Sequence, residues 1–257
     1  MQSPLLNVMT SAAIKAGKGL MRDFGEVDQL HISRKGASNF VTKSDVRTEK
    51  LLQKELLVAR PGFGFLMEEG GEVKGKDPTH RWIIDPLDGT SNFIHAIPYF
   101  CISIGLEKIH TNGDSEIIAG VIFDPIHNEL FTAEKGKGAQ VNNRKLMVST
   151  RDNFEESMLV TGSHRDIDSI YEKTAKSGAI VRHFGACALD LAYLAAGRID
   201  ACWYHSIQPW DIAAGMLMVQ EAGGVFTSIN GSPANIYSTA VLASNRVLYA
   251  SVQKLAA

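Results

Sequence analysis

The chain has few cysteines, almost no net charge and no long apolar run, and each shortage removes a class of explanation. Three cysteines, Cys101, Cys187 and Cys202, in 257 residues are too few and too scattered for a disulfide framework or a zinc knuckle. They fit a reducing compartment. A net charge of −2 gives no electrostatic case for nucleic acid as a main partner. No apolar run approaches the length of a membrane span. Lys15, Lys18 and Arg22 interrupt the apolar positions of the first 24 residues, unlike a signal-peptide core; the cytoplasm is the expected location. No repeat, low-complexity tract or long linker is present. What remains is an ordinary globular composition, 45% hydrophobic and 21% charged. A chain of this length buries roughly three quarters of its unfolded surface and needs no covalent staples.

Periodicity supplies the organisation. Leu5, Met9, Ala12, Ala13, Ala16 and Leu20 recur at helical spacing. Residues 30–41 read as a loop or short hairpin. Thr42 or Ser44 can cap a second helix that runs to about Ala59, where Arg60-Pro61-Gly62 stops it. Short buried strands are predicted at Phe63–Met67 and Arg81–Ile84. Alternating segments at 100–106, 119–123 and 129–133 read as further strands. The second half alternates strands (158–162, 181–184, 199–204, 225–228, 240–244) with helices at 166–176, from Leu189 to a stop at Gly197, and at 211–222. The expectation is one α/β unit over residues 1–257, in two halves with the site between them.

The most informative stretch is Asp85-Pro86-Leu87-Asp88-Gly89-Thr90-Ser91-Asn92, directly after the apolar run Trp82-Ile83-Ile84. A buried strand ending here delivers two carboxylates, a turn and a hydroxyl to one spot. Carboxylates that close repel unless a cation lies between them. Mg²⁺ takes such oxygen ligands and keeps positions for water and phosphate. The amides of Gly89, Thr90 and Ser91 can face an anion where a helix starts. Asp-Gly by itself is commonly a turn. Here, however, Glu68-Glu69 follow another apolar run, and Trp210-Asp211 open a small-residue helix. Three acidic clusters, each beside an apolar element, suit a multi-metal carboxylate site. Asp211 also suits a helix N-cap, and Asp45 a first-turn acid.

With these residues in view, the chain resembles the inositol monophosphatase family, the Mg²⁺-dependent, lithium-sensitive sugar-phosphate phosphatases related to fructose-1,6-bisphosphatase. The resemblance is carried by Glu68-Glu69, by Asp85 to Phe93, by Pro209-Trp210-Asp211-Ile212-Ala213-Ala214-Gly215 and by Glu221-Ala222-Gly223-Gly224. Weaker agreements are Val41 to Asp45 and Gly136 to Ala139. It spans about Lys35 to Asn245. It implies a five-layer α-β-α-β-α sandwich, a homodimer and two or three Mg²⁺ ions. It implies metal ligation by Glu68, Asp85, Asp88, Asp211 and the carbonyl of Leu87. Thr90 and Asp45 look like the pair that activates the attacking water, with Glu69 next in that network and Lys35 near the metals. The substrate, a small phosphorylated polyol or sugar, is expected to meet Asp88, Gly89, Thr90, Ser91, Gly185, Ala186, Cys187, Tyr204 and Asp211. Cys187 also suits a small packing residue.

One position departs from the family. Members acting on inositol usually carry a Glu seven residues before the Trp-Asp aspartate; here it is Tyr204, a weaker acceptor with one donor. Tyr204 either faces the substrate or packs as a strand aromatic. Hydrolysis of inositol monophosphate by direct attack of water is the leading expectation. Fructose-1,6-bisphosphate, histidinol phosphate and 3′-phosphoadenosine phosphates are alternatives, as is a regulatory binding protein that retains the fold.

Overall fold

A computed structural model describes residues 3–26, 32–36, 39–162 and 178–256, with side chains of 32–41 outside the description. In chain order the elements are α1 (Pro4–Phe24), β1 (Ile32–Gly36), β2 (Asn39–Thr42), α2 (Lys43–Ala59), β3 (Gly64–Met67), β4 (Gly71–Val73) and β5 (His80–Asp88). There follow α3 (Thr90–Ile94), β6 (Cys101–Ile109), β7 (Ser115–Asp124), β8 (Glu129–Glu134), β9 (Gly138–Val141), β10 (Arg144–Lys145), β11 (Met158–Thr161) and β12 (Ile180–Arg182). The chain closes with α4 (Cys187–Ala195), β13 (Ala201–His205), α5 (Pro209–Glu221), β14 (Val225–Ser228), β15 (Ala240–Ser244) and α6 (Tyr249–Ala256).

Among the described residues the strands form two large sheets and the β1–β2 hairpin. One sheet has eight strands in the order β10-β9-β8-β7-β6-β5-β3-β4; the other has five, β12-β11-β13-β15-β14. The first is antiparallel except where β3 runs parallel to β5. In the second, β11 is parallel to both β12 and β13.

Burial explains the stacking. On β5, Trp82 and Ile84 point into one core with Met9, Leu20, Leu52 and Leu56 of α1 and α2. Ile83, between them, points the other way, into a core with Leu189, Leu191, Ile212 and Val219 of α4 and α5. A strand covered on both faces reads as a continuous apolar run, which is why Trp82-Ile83-Ile84 shows no alternation. A third core joins Trp203 and Leu242 of the smaller sheet to Val252 of α6. The order is therefore helices, sheet, helices, sheet, helix: the five-layer α/β sandwich.

α5 lies against the large sheet at very short range. A Cβ on Gly105 would lie 2.9 Å from that of Ala213, and one on Gly120 would lie 3.0 Å from the backbone of Ala214. The small-residue composition of this helix is thus a packing requirement, and the close approach fixes where Asp211 sits.

Several expectations shift at their edges. The strand predicted at Arg81–Ile84 continues to Asp88, because Asp85 and Asp88 still pair with Ser103 and Cys101 of β6. The helix expected to start at Asp211 starts at Pro209; proline is favoured at the first helical position because it lacks the N–H that would be unbonded there. β4, β9, β10 and α6 were not anticipated. The helix expected at 166–176 lies outside the described residues. No described helix is long and apolar enough to cross a membrane.

Candidate active site

The acidic stretch is shaped by an irregularity in the β5–β6 ladder. Asp85 faces Ser103 and Asp88 faces Cys101, so three steps on β5 match two on β6. Paired residues share a face of the sheet, and the extra residue in the bulge brings Asp85 and Asp88 to the same side. That side faces α4 and α5. Beyond Asp88, Gly89 turns the chain with φ +93°. A Cβ there would lie 2.9 Å from the carbonyl oxygen of Tyr99 and 3.2 Å from Ala186. Only glycine meets both demands.

Each acid has a definite setting. Asp85 is buried, and its Oδ1 accepts the Leu87 N–H at 2.9 Å. Burial pushes its pKa well up, and the charges of Glu68, Asp88 and Asp211 add to the rise. Asp88 accepts the Cys187 N–H at 3.2 Å and the Ala188 N–H at 2.6 Å. It therefore caps the N-terminus of α4, where a negative charge is favoured. Even so, burial and the neighbouring Asp190 lift it to about 7. Asp211 rises to about 7 as well, through burial and then Asp88. Glu68 leaves β3 beside Asp85, and its N–H donates to the Ile84 carbonyl at 3.2 Å. Burial and mutual repulsion thus raise the pKa of Asp85, Asp88 and Asp211, with the Glu68 charge adding to the rise at Asp85 and Asp88.

Two of the acids also serve as helix caps. Asp45 is the third residue of α2, and its Oδ2 accepts the Thr42 N–H at 2.8 Å. Asp211 is the third residue of α5, and its Oδ2 accepts the Gln208 N–H at 2.8 Å. Both complete capping boxes, so the capping explanation holds for each. It does not account for the rest of either side chain. Asp45 turns Oδ1 to the Thr90 hydroxyl at 3.1 Å, while Asp211 lies in the charge field of Asp85 and Asp88. Burial raises the pKa of Asp45 against the lowering effect of its hydrogen bonds.

An open cleft of about 650 Å³ adjoins the cluster. Of the expected substrate residues, Asp88, Ser91, Gly185, Ala186, Cys187, Tyr204 and Asp211 line it. Glu68, Glu69, Asp45, Asp85, Leu87, Gly89 and Thr90 are not among the described residues that line it. Lys35 falls in β1, where side chains are outside the description. Tyr204 is buried and its hydroxyl donates to Asp190 Oδ2 at 2.7 Å, while Tyr99 donates to Oδ1 at 2.6 Å. No lysine or arginine lines the cleft among the described residues.

Asp190 was not singled out from the sequence, and Asn92 was read only as part of the Asp85–Asn92 stretch, without a role of its own. Asp190 lines the cleft, and burial lifts it to about 7 although both phenols hold it down. An acid inside the apolar run Ala188-Leu189-Asp190-Leu191-Ala192 was the available signal, since such residues are seldom buried unpaired. Asn92 donates to the Tyr99 carbonyl at 2.8 Å and to the Phe184 carbonyl at 2.7 Å, tying α3 to the segment that enters α4.

The donor set suits a hard divalent cation. It is all oxygen, and its members repel until a positive charge sits among them. Glu68, Asp85, Asp88, Asp211 and the Leu87 carbonyl could hold such an ion. Among the described residues, no group of three His, Cys, Asp or Glu side chains is closed up far enough to hold an ion by itself.

Comparison with known proteins decides the affiliation. The family model described as the inositol monophosphatase family matches residues 1–257. The chain belongs to the inositol monophosphatase family. It is an enzyme of the phosphoric monoester hydrolase class. An inositol-1-monophosphatase of Caulobacter vibrioides is 46% identical over 95% of this chain and 97% of its own length. The Nus factor SuhB of Xylella fastidiosa is 42% identical over 91% of this chain and 85% of its own. The crystal structure of the extragenic suppressor protein suhB of Bartonella henselae superimposes with a TM-score of 0.93 at 45% identity, covering 99% of this chain and 98% of that one. The family thus embraces proteins named for hydrolysis and proteins named for other roles.

Proposed function

We propose that this protein hydrolyses a small phosphomonoester, with inositol monophosphate first among the candidates, using Mg²⁺ held by Glu68, Asp85, Asp88, Asp211 and the Leu87 carbonyl. The observation that carries the reading is the convergence of these carboxylates beside a cleft, with Thr90, two residues past Asp88, paired to Asp45. Bound there, Mg²⁺ supplies charge neutralisation and a more acidic water. The chain supplies the rest. Asp45 Oδ1 lies 3.1 Å from the Thr90 hydroxyl and the Leu87 carbonyl 3.0 Å. With the hydroxyl hydrogen turned to these acceptors, a lone pair on Thr90 Oγ1 is left to orient water and take its proton. The amides of Gly89, Thr90 and Ser91 would hold a phosphate oxygen, with Ser91 the one of the three that lines the cleft. Asp88, anchored on α4, keeps the strand end and the cleft wall in one geometry.

A polyol leaving group fits a cleft wall without lysine or arginine better than a bisphosphate, which needs a second cationic pocket. The test is phosphate release with and without Mg²⁺ from inositol 1-phosphate, fructose-1,6-bisphosphate, histidinol phosphate and 3′-phosphoadenosine 5′-phosphate. The reading expects Mg²⁺-dependent release, fastest from inositol 1-phosphate, with inhibition on lithium titration. Release from none of the four defeats it. Thr90→Val should lower turnover by about 10²-fold or more, the usual scale of general-base loss.

A second reading has one specific support, the match to a Nus factor. In it the fold serves a regulatory partner beside hydrolysis. Asp88→Asn separates the two, since it removes hydrolysis and leaves the outer surface intact. A homodimer and a cytoplasmic location belong to the same proposal, to be checked by sedimentation and by fractionation.

A further inference from the structure

We propose that Glu49 is a positioning residue that sets Glu68 against Asp85; the inference rests on the reading of Glu68 as a metal ligand. Glu49 lies on α2 one turn after Asp45, and both are buried. Residues four apart share a helix face at a separation of about 5–6 Å between Cβ atoms. Asp45 reaches Thr90, just past the end of β5. Glu49 Oε2 accepts the Glu69 N–H at 2.8 Å, just past the end of β3. One rigid helix face therefore grips the chain where each acidic segment leaves the sheet.

The strand register makes that grip consequential. β3 and β5 are parallel neighbours with Met67 beside Ile84, so Glu68 and Asp85 leave the ladder side by side. The Glu68 N–H is still held by the Ile84 carbonyl. The next peptide has left the ladder, and Glu49 is the acceptor that takes its N–H. Gly70 closes over the same carboxylate: a Cβ on it would lie 2.9 Å from Glu49 Oε1. Were Glu49 withdrawn, the Glu68–Glu69 peptide could turn and carry the Glu68 carboxylate away from Asp85. Residues that orient metal ligands in this way typically govern affinity by about 10–100-fold.

The experiment uses the full chain, with Mg²⁺ as the probe. Glu49→Asp keeps the charge and shortens the reach; Glu49→Gln keeps the reach and the acceptor oxygen while losing the charge. Leu52→Ala, a buried change on the same helix, is the reference for general loosening. Mg²⁺ binding to metal-free protein is measured calorimetrically, beside the Mg²⁺ dependence of phosphate release. Glu49→Asp should weaken Mg²⁺ binding about tenfold or more, with turnover at saturating Mg²⁺ near the parent's, and Glu49→Gln should recover most of the affinity. Leu52→Ala should lower Tm without moving the Mg²⁺ affinity. Unchanged affinity in Glu49→Asp overturns the inference, as does an equal loss in Leu52→Ala. A parent that binds no Mg²⁺ would instead remove the proposed site, and this inference with it.

Discussion

Asp88→Asn should make the metal-free protein more stable at pH 8, and the gain should shrink to about nothing at pH 5. The carboxyl of Asp88 is lifted from an ordinary 3.8 to about 7. Because its folded value lies above its unfolded value, the stability it contributes is full below pH 3.8. It is lost as pH rises through about 7. Three units correspond to about 4 kcal/mol spent on keeping the group ionised above that range. The amide removes this cost. It also weakens the cap on α4, where one oxygen must replace two acceptors of the Cys187 and Ala188 N–H groups; that loss is about 1–3 kcal/mol. The balance favours the variant at pH 8 by about 1–3 kcal/mol, a rise of a few degrees in Tm for a chain of this size. At pH 5 the folded carboxyl is protonated but the unfolded one is already ionised, so about 1.6 kcal/mol of the cost is present, and the cap loss brings the balance to about zero or below. Thermal denaturation in EDTA at the two pH values measures both. With Mg²⁺ the parent should gain strongly at pH 8, by about 2.7 kcal/mol at a hundredfold excess over Kd, and the variant little. A variant less stable than the parent by the same amount at both pH values would refute the argument, because the repulsion it invokes would then be absent.

Other outcomes follow from the same geometry. Gly89→Ala combines a left-handed φ with a 2.9 Å approach to the Tyr99 carbonyl and should cost about 2 kcal/mol or more in denaturant unfolding. Tyr204→Glu, designed from the sequence to restore the family's acceptor, would set a second acid where Tyr204 now lies 2.7 Å from Asp190. It should lower Tm at pH 8 far more than at pH 5, because like charges repel only when both are ionised; equal losses would show that packing alone is involved. Asn92→Ala breaks the bonds to the Tyr99 and Phe184 carbonyls and should destabilise by about 1–3 kcal/mol, read by urea unfolding.

Much of this fold and cluster was legible in the sequence, for physical reasons that can be named. The Thr42 cap, the stop before Pro61 and the helical spacing of Met9, Ala12, Ala16 and Leu20 are local signals, and local signals fix helices. The run Asp85 to Asn92 was legible because an acidic turn after a buried strand has few structural uses. The extension of β5 to Asp88 was not, since it depends on pairing with β6 and on a bulge that tolerates Pro86. Partners distant in the chain were also hidden. Nothing local in Asp88 announces that it caps α4 a hundred residues on, or that Tyr204 donates to Asp190. Tyr204 was open between substrate contact and core packing, and the structure gives it both a buried ring and a place on the cleft wall. The short strands β4 and β10 are the two edges of the large sheet and β9 lies next to an edge; all three are held by neighbours rather than by their own pattern.

The most direct measurement is an anomalous difference map from crystals of the full chain grown with Mn²⁺ in place of Mg²⁺. The account predicts density among Glu68, Asp85, Asp88, Asp211 and the Leu87 carbonyl, lost or moved in Asp88→Asn. Well-ordered crystals with these side chains resolved and no ion among them, or ions bound only elsewhere, would contradict it.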